Sequence, residues 1–247
     1  MITAGTLNKS LSDFTNNFKL FGLKSEFEGE GIAIEDLIFE FSRCERSNLT
    51  YLVKIGGCEA KSDISFLDHV GISAITAPMV ETPFAMTKYH SAIEYCSFEH
   101  IGVTLETITA CENVEEILSS GPKLTNITIG RSDLAKSMNL AEVDSDDVMN
   151  IVLKVAGIAK QRGLSTTVGG SINTKTINLF RDSQLLQESV DFIETRKVIM
   201  PVEGFLEPNA LDTALKFESL LLQRQINLRE QASKHARKRN SQILNRL

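Results

Sequence analysis

Short apolar runs alternate along this chain with longer stretches in which apolar residues return every three or four positions. The short runs predict strands at Lys24–Glu30, Tyr51–Ile55, Ala74–Pro78, His100–Leu105, Asn126–Ile129, Ser165–Val168 and Val190–Glu194. The stretches between them predict helices. "EDLIFEFSRCER" carries Leu37, Ile38 and Phe41. "DDVMNIVLKVAGIAKQRG" sets Val148, Ile151, Val152, Val155 and Ile158 on one face and stops at Gly163. Successive strands begin roughly 20–40 residues apart, about one strand–helix unit each, as parallel α/β architecture requires.

Two tracts fall outside this alternation. Residues 7–21 read as an amphipathic helix with no clear strand before it. Residues 209–247 read as one long helical tract whose apolar positions include Leu211, Leu215, Leu220, Leu221 and Ile226. That stripe exceeds what one barrel helix needs, and packing across the barrel or against another subunit is its expected use. No Gly/Ser-rich linker and no internal repeat interrupts the chain. The expected organisation is a single barrel domain over residues 1–208 and a helical extension over 209–247 for packing or oligomerisation.

Composition narrows the function classes. With 247 residues and 42% hydrophobic content, the chain has material for one large core. A formal net charge of −6 argues against a nucleic-acid binder, although "SKHARKRN" near the C-terminus is locally basic. Cys44, Cys58, Cys96 and Cys111 form no CxxC pair and have no histidine at zinc-site spacing, so they read as reduced thiols. No secretory h-region and no apolar run of membrane-spanning length is present, and a cytoplasmic protein without a membrane partner is expected. His69, His90, His100 and His235 lie in no metal or triad arrangement. Dinucleotide and P-loop glycine motifs are missing as well.

The candidate chemistry sits where strands end: "SEFEGEG", "VKIGGCEA", "APMVET", "TLETI", "TIGRSDL", "TVGGSIN" and "FIETRK". In a parallel barrel these ends share one rim. Carboxylates there must be paired or bound to a metal. Strand parity puts Glu26, Glu28 and Glu30 on one face, with Lys54 of the next strand as a natural partner, unless the segment is an ordinary charged edge. Glu106 and Asp133 are hard-oxygen candidates for Mg²⁺ or Mn²⁺, although Asp133 reads equally well as a helix N-cap. The Gly169-Gly170-Ser171 turn reads either as a tight turn or as a backbone cradle for a carboxylate or phosphate.

Taken in order, "KIGGCEA", "ITAPMVET", "TLETITACENVEEIL" and "ITIGRSDLAKSM" resemble the HpcH/HpaI aldolase and citrate lyase β-subunit family. "SEFEGEG", "TVGGSIN" and "FIETRK" look like a less characterised branch of it, and the likeness runs from about Lys24 to Met200. The resemblance implies a modified (β/α)₈ TIM barrel, here with its first strand short or missing. It implies Mg²⁺ or Mn²⁺ held by Glu106 of "TLET" and Asp133 of "GRSDL". It also implies C–C bond chemistry next to a carbonyl on pyruvate-like or CoA-thioester substrates. Lys54 stands where relatives place a strand-end arginine that contacts the oxo acid, and lysine lacks the bidentate fork. Gly31 stands near the position of the relatives' catalytic histidine.

The expectation is therefore a metal-dependent lyase of aldolase type acting on a 2-oxo acid. Lys54 and Arg131 would neutralise substrate charge, and Glu28, Glu30 or a metal-bound water would move the proton. Gly169, Gly170, Ser171 and Arg196 would bind substrate. Hydrolysis, phosphoenolpyruvate or CoA-thioester chemistry on the same scaffold stands as the alternative, as does a non-catalytic barrel subunit. A homo-oligomer is expected from the C-terminal tract.

Overall fold

The computed structural model describes residues 2–121 and 123–245. Eight strands close a barrel in sequence order: β1 (Gly22–Glu26), β2 (Thr50–Lys54), β3 (Ala74–Ala77), β4 (His100–Leu105), β5 (Asn126–Gly130), β6 (Ser165–Gly169), β7 (Phe192–Glu194) and β8 (Val198–Pro201). β1 through β7 pair parallel with one another in that order. β8 runs antiparallel to both β7 and β1. The apolar pattern does not predict β8, because its four residues lie too close behind β7 to read as a second strand. The turn holding them together is short: Thr195 N–H donates to Val198 O at 2.9 Å, and Lys24 N–H donates to Lys197 O at 2.9 Å. Closure of the ring is thus completed from the C-terminal side by a hairpin.

The pleat sorts the side chains of each strand. Leu23, Val53, Ile75, Val103, Ile127, Val168 and Ile193 are buried against the surrounding helices. The opposite set faces the lumen, with Leu52 and Phe192 toward its floor and Thr76, Thr104, Thr128 and Thr167 buried along it. Asn126 Nδ2 donates to Thr167 Oγ1 at 3.1 Å across the lumen floor.

The enclosing helices start and stop at coded positions. Thr82 caps Pro83–Ala92 by accepting from Ala85 N–H, with proline in the first turn. Ser145 caps Asp146–Gln161, and Asn173 forms a capping box on Thr174–Asp182. Gly71, at φ +84°, ends Lys61–Val70 in the left-handed conformation that glycine adopts without strain. Residues 7–21, predicted as one helix, form a helix over Ala4–Asn17 and then lead into β1.

The C-terminal tract is one helix, Ala210–Leu244, but it is used in two ways. Its first turns bury Ala210, Ala214, Phe217 and Leu221, and Phe217 lies 6.0 Å from the Phe14 ring of the N-terminal helix. Arg224 pairs with Asp36 at 2.7 Å and stacks over Phe39 at 3.6 Å. Among the described residues none beyond Leu221 is buried, and Leu222, Ile226, Leu228, Ile243 and Leu244 are exposed. No helix among the described residues is long and apolar enough to cross a membrane.

This division predicts a contrast in stability. Phe217→Ala removes a core ring and should cost about 3–5 kcal/mol, whereas Leu228→Ala should stay within about 0.5 kcal/mol. Urea unfolding of dilute protein reads both. A similar cost for the two would contradict the division.

Candidate active site

The parallel strands deliver their lumen-facing ends to one mouth, and most of those ends are charged. On β1, parity sends Lys24 and Glu26 inward and Ser25 outward. Lys24 Nζ reaches Glu194 Oε1 of β7 at 2.6 Å and Glu26 Oε1 at 3.2 Å. Glu26 stands in register with Lys54 of β2. Lys54 Nζ lies 3.0 Å from Glu106 Oε1 at the end of β4. The sequence Glu194, Lys24, Glu26, Lys54, Glu106 is an arc of alternating charge over β7, β1, β2 and β4.

On the remaining arc glycine makes room for the neighbouring carboxylates. Gly130 and Gly169 are register partners on β5 and β6. A Cβ at Gly130 would sit 3.0 Å from Glu106 Cγ, and one at Gly169 would sit 3.0 Å from Glu194 Cγ. The two carboxylates therefore lean over the glycines. Gly169 makes room for Glu194 and does not itself line the cavity, which corrects its expected role in a cradle.

Burial alone would neutralise Lys24, but the fields of Glu194 and Glu26 outweigh it and hold the ammonium above the usual lysine range. Burial would raise Glu26, yet Lys24 and Lys54 hold its carboxyl below the usual value. Both groups are therefore charged at neutral pH.

Two lobes open from this arc and share Glu26, Lys54, Glu106, Asp133 and Arg196. The inner lobe, about 330 Å³, adds Ser132, Gly170 and Ser171, with Leu215 and Glu218 reaching in from the C-terminal helix. The outer lobe, about 420 Å³, adds Glu28, Ile55, Gly56, Pro78 and Met79. The structure thus brings Lys54, Glu28, Arg196, Gly170, Ser171, Glu106 and Asp133 to one opening, as the strand-end argument expects.

Three further expectations need correction. The common face of Glu26, Glu28 and Glu30 does not form, because the chain leaves the strand after Glu26 and makes a helical turn over Phe27–Glu30. Glu28 points to the outer lobe. Glu30 turns behind the barrel wall, where its carboxylate pairs with Lys197 and lines neither lobe. Burial pushes Glu30 up, only partly offset by Lys197.

Arg131 is the third correction. Its guanidinium is fully buried and does not reach the cavity. It pairs with Asp144 Oδ1 at 2.6 Å and donates to Gly169 O at 3.2 Å, Gly170 O at 2.9 Å and Thr176 Oγ1 at 3.2 Å. Its role is to fix the turn after β6 from below. The turn needs that support: Gly170 and Ser171 both have positive φ, and a Cβ at Gly170 would lie 2.5 Å from Ser132 N. Ser132 Oγ and Ser171 Oγ meet at 2.8 Å above it.

Whether the residues fit a divalent cation is answered by charge and by Glu106. The inner lobe is lined by five carboxylates (Glu26, Glu106, Asp133, Glu194, Glu218) and three cations (Lys24, Lys54, Arg196), a surplus of two negative charges. Glu106 Oε1 is buried without a hydrogen bond, although Lys54 lies close by. Asp133 lies in the first turn of Arg131–Ser137 and does not cap it, since the cap position is Gly130. Asp133 is half exposed and pairs with Lys136 at 2.8 Å. Among the described residues no cluster of three acidic, histidine or cysteine ligands exists. Glu106 and Asp133 both border the two lobes, and they are the carboxylates that a hard cation completing its shell with water and substrate oxygens would take there.

Sequence reasoning did not single out Lys24 or assign a role to Glu194. A signal for Lys24 was present in "KSE", where charge alternates with a small residue at strand period. Glu218 carried none, because a glutamate on a long helix reads as solvated.

A family model described as HpcH/HpaI aldolase/citrate lyase matches residues 53–191, more than half of the chain. Among solved structures, an HpcH/HpaI aldolase/citrate lyase family protein from Burkholderia cenocepacia J2315 superposes with a TM-score of 0.62 at 16% identity, over 77% of this chain and 83% of that one. An HpcH/HpaI aldolase from Desulfitobacterium hafniense DCB-2 gives 0.61 at 11% identity, over 76% and 81%. The citrate synthase SbnG gives 0.61 at 14% identity, over 92% and 91%. At these identities the likeness is one of fold. No curated protein matches the chain.

The clamp under the turn carries a pH prediction. Burial would raise Asp144, but hydrogen bonds from Arg131, Asn173 and Thr176 outweigh it and hold the carboxyl below its ordinary 3.8. A depressed folded pKa contributes stability that is present above the unfolded pKa and is lost as pH falls through the folded one. Asp144→Asn should lower stability by about 3–5 kcal/mol at neutral pH and flatten the loss of stability below about pH 4. Thermal melts across that range check it. An unchanged acid limb in the variant would contradict the assignment.

Proposed function

The chain belongs to the HpcH/HpaI aldolase/citrate lyase family, and we propose that it is a divalent-metal-dependent lyase that makes or breaks a C–C bond of a 2-oxo acid. The observation that carries this reading is the single polar mouth into which Glu106, Asp133, Lys54 and Arg196 all project.

Glu106 and Asp133 would hold the cation, Mg²⁺ or Mn²⁺. When bound there, such an ion supplies Lewis-acid polarisation of a carbonyl beside a carboxylate. Lys54 sits against Glu106 and would offset the charge of the substrate carboxylate as it enters. Arg196, exposed on the β7–β8 hairpin, borders both lobes and would meet anionic substrate first. In the cleavage direction a hydroxyl two carbons from the carbonyl loses its proton. The C–C bond between that carbon and the next breaks, and its electron pair forms the enolate. An aldehyde leaves and the enolate takes up a proton. Glu28 in the outer lobe is the carboxylate placed to accept the hydroxyl proton and return it. Glu30 is excluded from that role by its pairing with Lys197 behind the wall.

Glu106→Gln and Asp133→Asn keep shape and remove charge. Each should weaken Mn²⁺ binding at least about tenfold, read by the electron paramagnetic resonance signal of the free ion. Each should also abolish cleavage of 4-hydroxy-2-oxo acids. Unchanged Mn²⁺ binding in both variants would contradict the reading.

We further propose that the exposed turns of the C-terminal helix pair with a second copy of the chain. A helix without a packed face is marginal in water, and this one retains Leu222, Ile226, Ile243 and Leu244 uncovered. Light scattering should give a multiple of the single-chain mass. A monomer at micromolar concentration would count against it.

A further inference from the structure

We propose that the free half of the C-terminal helix is a docking surface for double-stranded DNA, with Lys234 and Lys238 on the phosphate backbone and Arg43 and Arg46 on flanking phosphates. This role does not depend on the chemistry at the barrel mouth.

From Ala232 to Asn245 every residue is exposed, so this part of the chain stands clear of the barrel on all sides. Its charge has one sign. All 32 acidic residues lie at or before Glu230, so the net charge of −6 hides a basic end. Four of the six residues Lys234–Arg239 are lysine or arginine. Helical spacing sorts them further. Arg224, Asn227, Gln231, Lys234, Lys238 and Ser241 follow one another at three or four residues and share a stripe that holds neither an apolar side chain nor a carboxylate. Leu222 and Ile226 lie on another side, so pairing with a second copy through them leaves the stripe free.

A second basic cluster lies where this stripe meets the barrel. Arg224 pairs with Asp36 and stacks on Phe39, which turns the stripe toward the helix Ile34–Arg46. Arg43 of that helix lies 4.4 Å from the centre of the same ring. Its Nε is buried with no hydrogen-bond partner. Burial first, and then the fields of Arg46 and Arg224, hold the Arg43 guanidinium below its usual range. An anion seated there would relieve that crowding.

The side chains select the kind of anion. A lipid surface requires an apolar face to insert, and from Arg229 to Gln242 the apolar residues are Ala232 and Ala236 alone. A protein interface centred here would lack aromatic and large aliphatic anchors. Lysine, arginine, asparagine, glutamine and serine are the side chains that bind phosphates and base edges. A helix about 10–12 Å across fits the major groove of B-form DNA, about 12 Å wide, whereas A-form RNA closes that groove to side chains. Exposure on all sides is what groove entry needs, and about 20 Å of helix is free to enter.

Fluorescence anisotropy of a labelled DNA duplex of mixed sequence, titrated with the full chain, tests this. Binding should be micromolar at about 50 mM salt and at least about tenfold weaker at about 200 mM. Lys234→Gln combined with Lys238→Gln should weaken it at least about fivefold and make the slope of log K against log salt shallower by about two. Both side chains are exposed, so the fold is kept. Arg46→Gln, on the other helix, should act in the same direction. No binding at about 50 mM salt overturns the proposal. Binding that the double variant leaves unchanged overturns it too, as does tighter binding to an RNA hairpin or to phosphatidylserine vesicles than to the duplex.

Discussion

Charges buried at the mouth of a barrel must be neutralised in place, and here that constraint organises the structure. Lys24 bridges Glu194 and Glu26, and Lys54 bridges toward Glu106, so ion pairs in low-dielectric surroundings tie β1 to β7 and β2 to the end of β4. Removing one member of such a set leaves an uncompensated charge, typically costing about 3–5 kcal/mol. The set also fixes where the cavity opens. Charge fills the arc from β7 through β1 to β4, and over β5 and β6 Gly130 and Gly169 give the Glu106 and Glu194 side chains room.

A second buried network backs the first through the alternation of a single strand. Lys24 and Glu26 face the lumen, while Ser25 between them faces out and donates to Glu40 at 2.7 Å, with Tyr51 donating to Ser25 at 2.7 Å. Lys197 enters this outer cluster from the β7–β8 hairpin and pairs with Glu30 and Glu40. Glu218 of the C-terminal helix accepts from Lys197 N–H and from the Thr195 hydroxyl, and so pins the same hairpin from above. The hairpin carrying Arg196 is thereby held on both sides. The antiparallel closing strand makes this possible, since it returns Lys197 beside β1 within three residues of Glu194.

The parallel part of the barrel was legible in the sequence because each strand is a distinct apolar run between helical periods. His100–Leu105 matches its predicted run, and β2, β3, β5 and β6 match within a residue at either end. The closing strand was not legible, since Val198–Pro201 lacks the helix that separates every other pair of strands. Glu106, Asp133 and Lys54 were legible as strand-end chemistry, and the structure places them around one opening. Arg131 was misread because an arginine after a strand looks the same whether it faces a substrate or a buried aspartate. Only the tertiary position of Asp144, thirteen residues away, decides between them. Glu30 was misread because strand parity was carried past the point where the chain turns helical. Lys24 was not singled out and Glu194 had no role assigned because their pairing joins residues 170 positions apart.

Under the proposed function this ring of charge would place a cation and an oxo acid at Glu106 and Asp133. The most direct measurement is a crystal grown with Mn²⁺ and oxalate, with anomalous scattering recorded near the manganese edge. One strong peak touching both Glu106 and Asp133, with oxalate oxygens beside it and the Lys24–Glu194 pair intact, is the result expected. A cavity without a manganese peak, or manganese bound only at other carboxylates, would contradict the account.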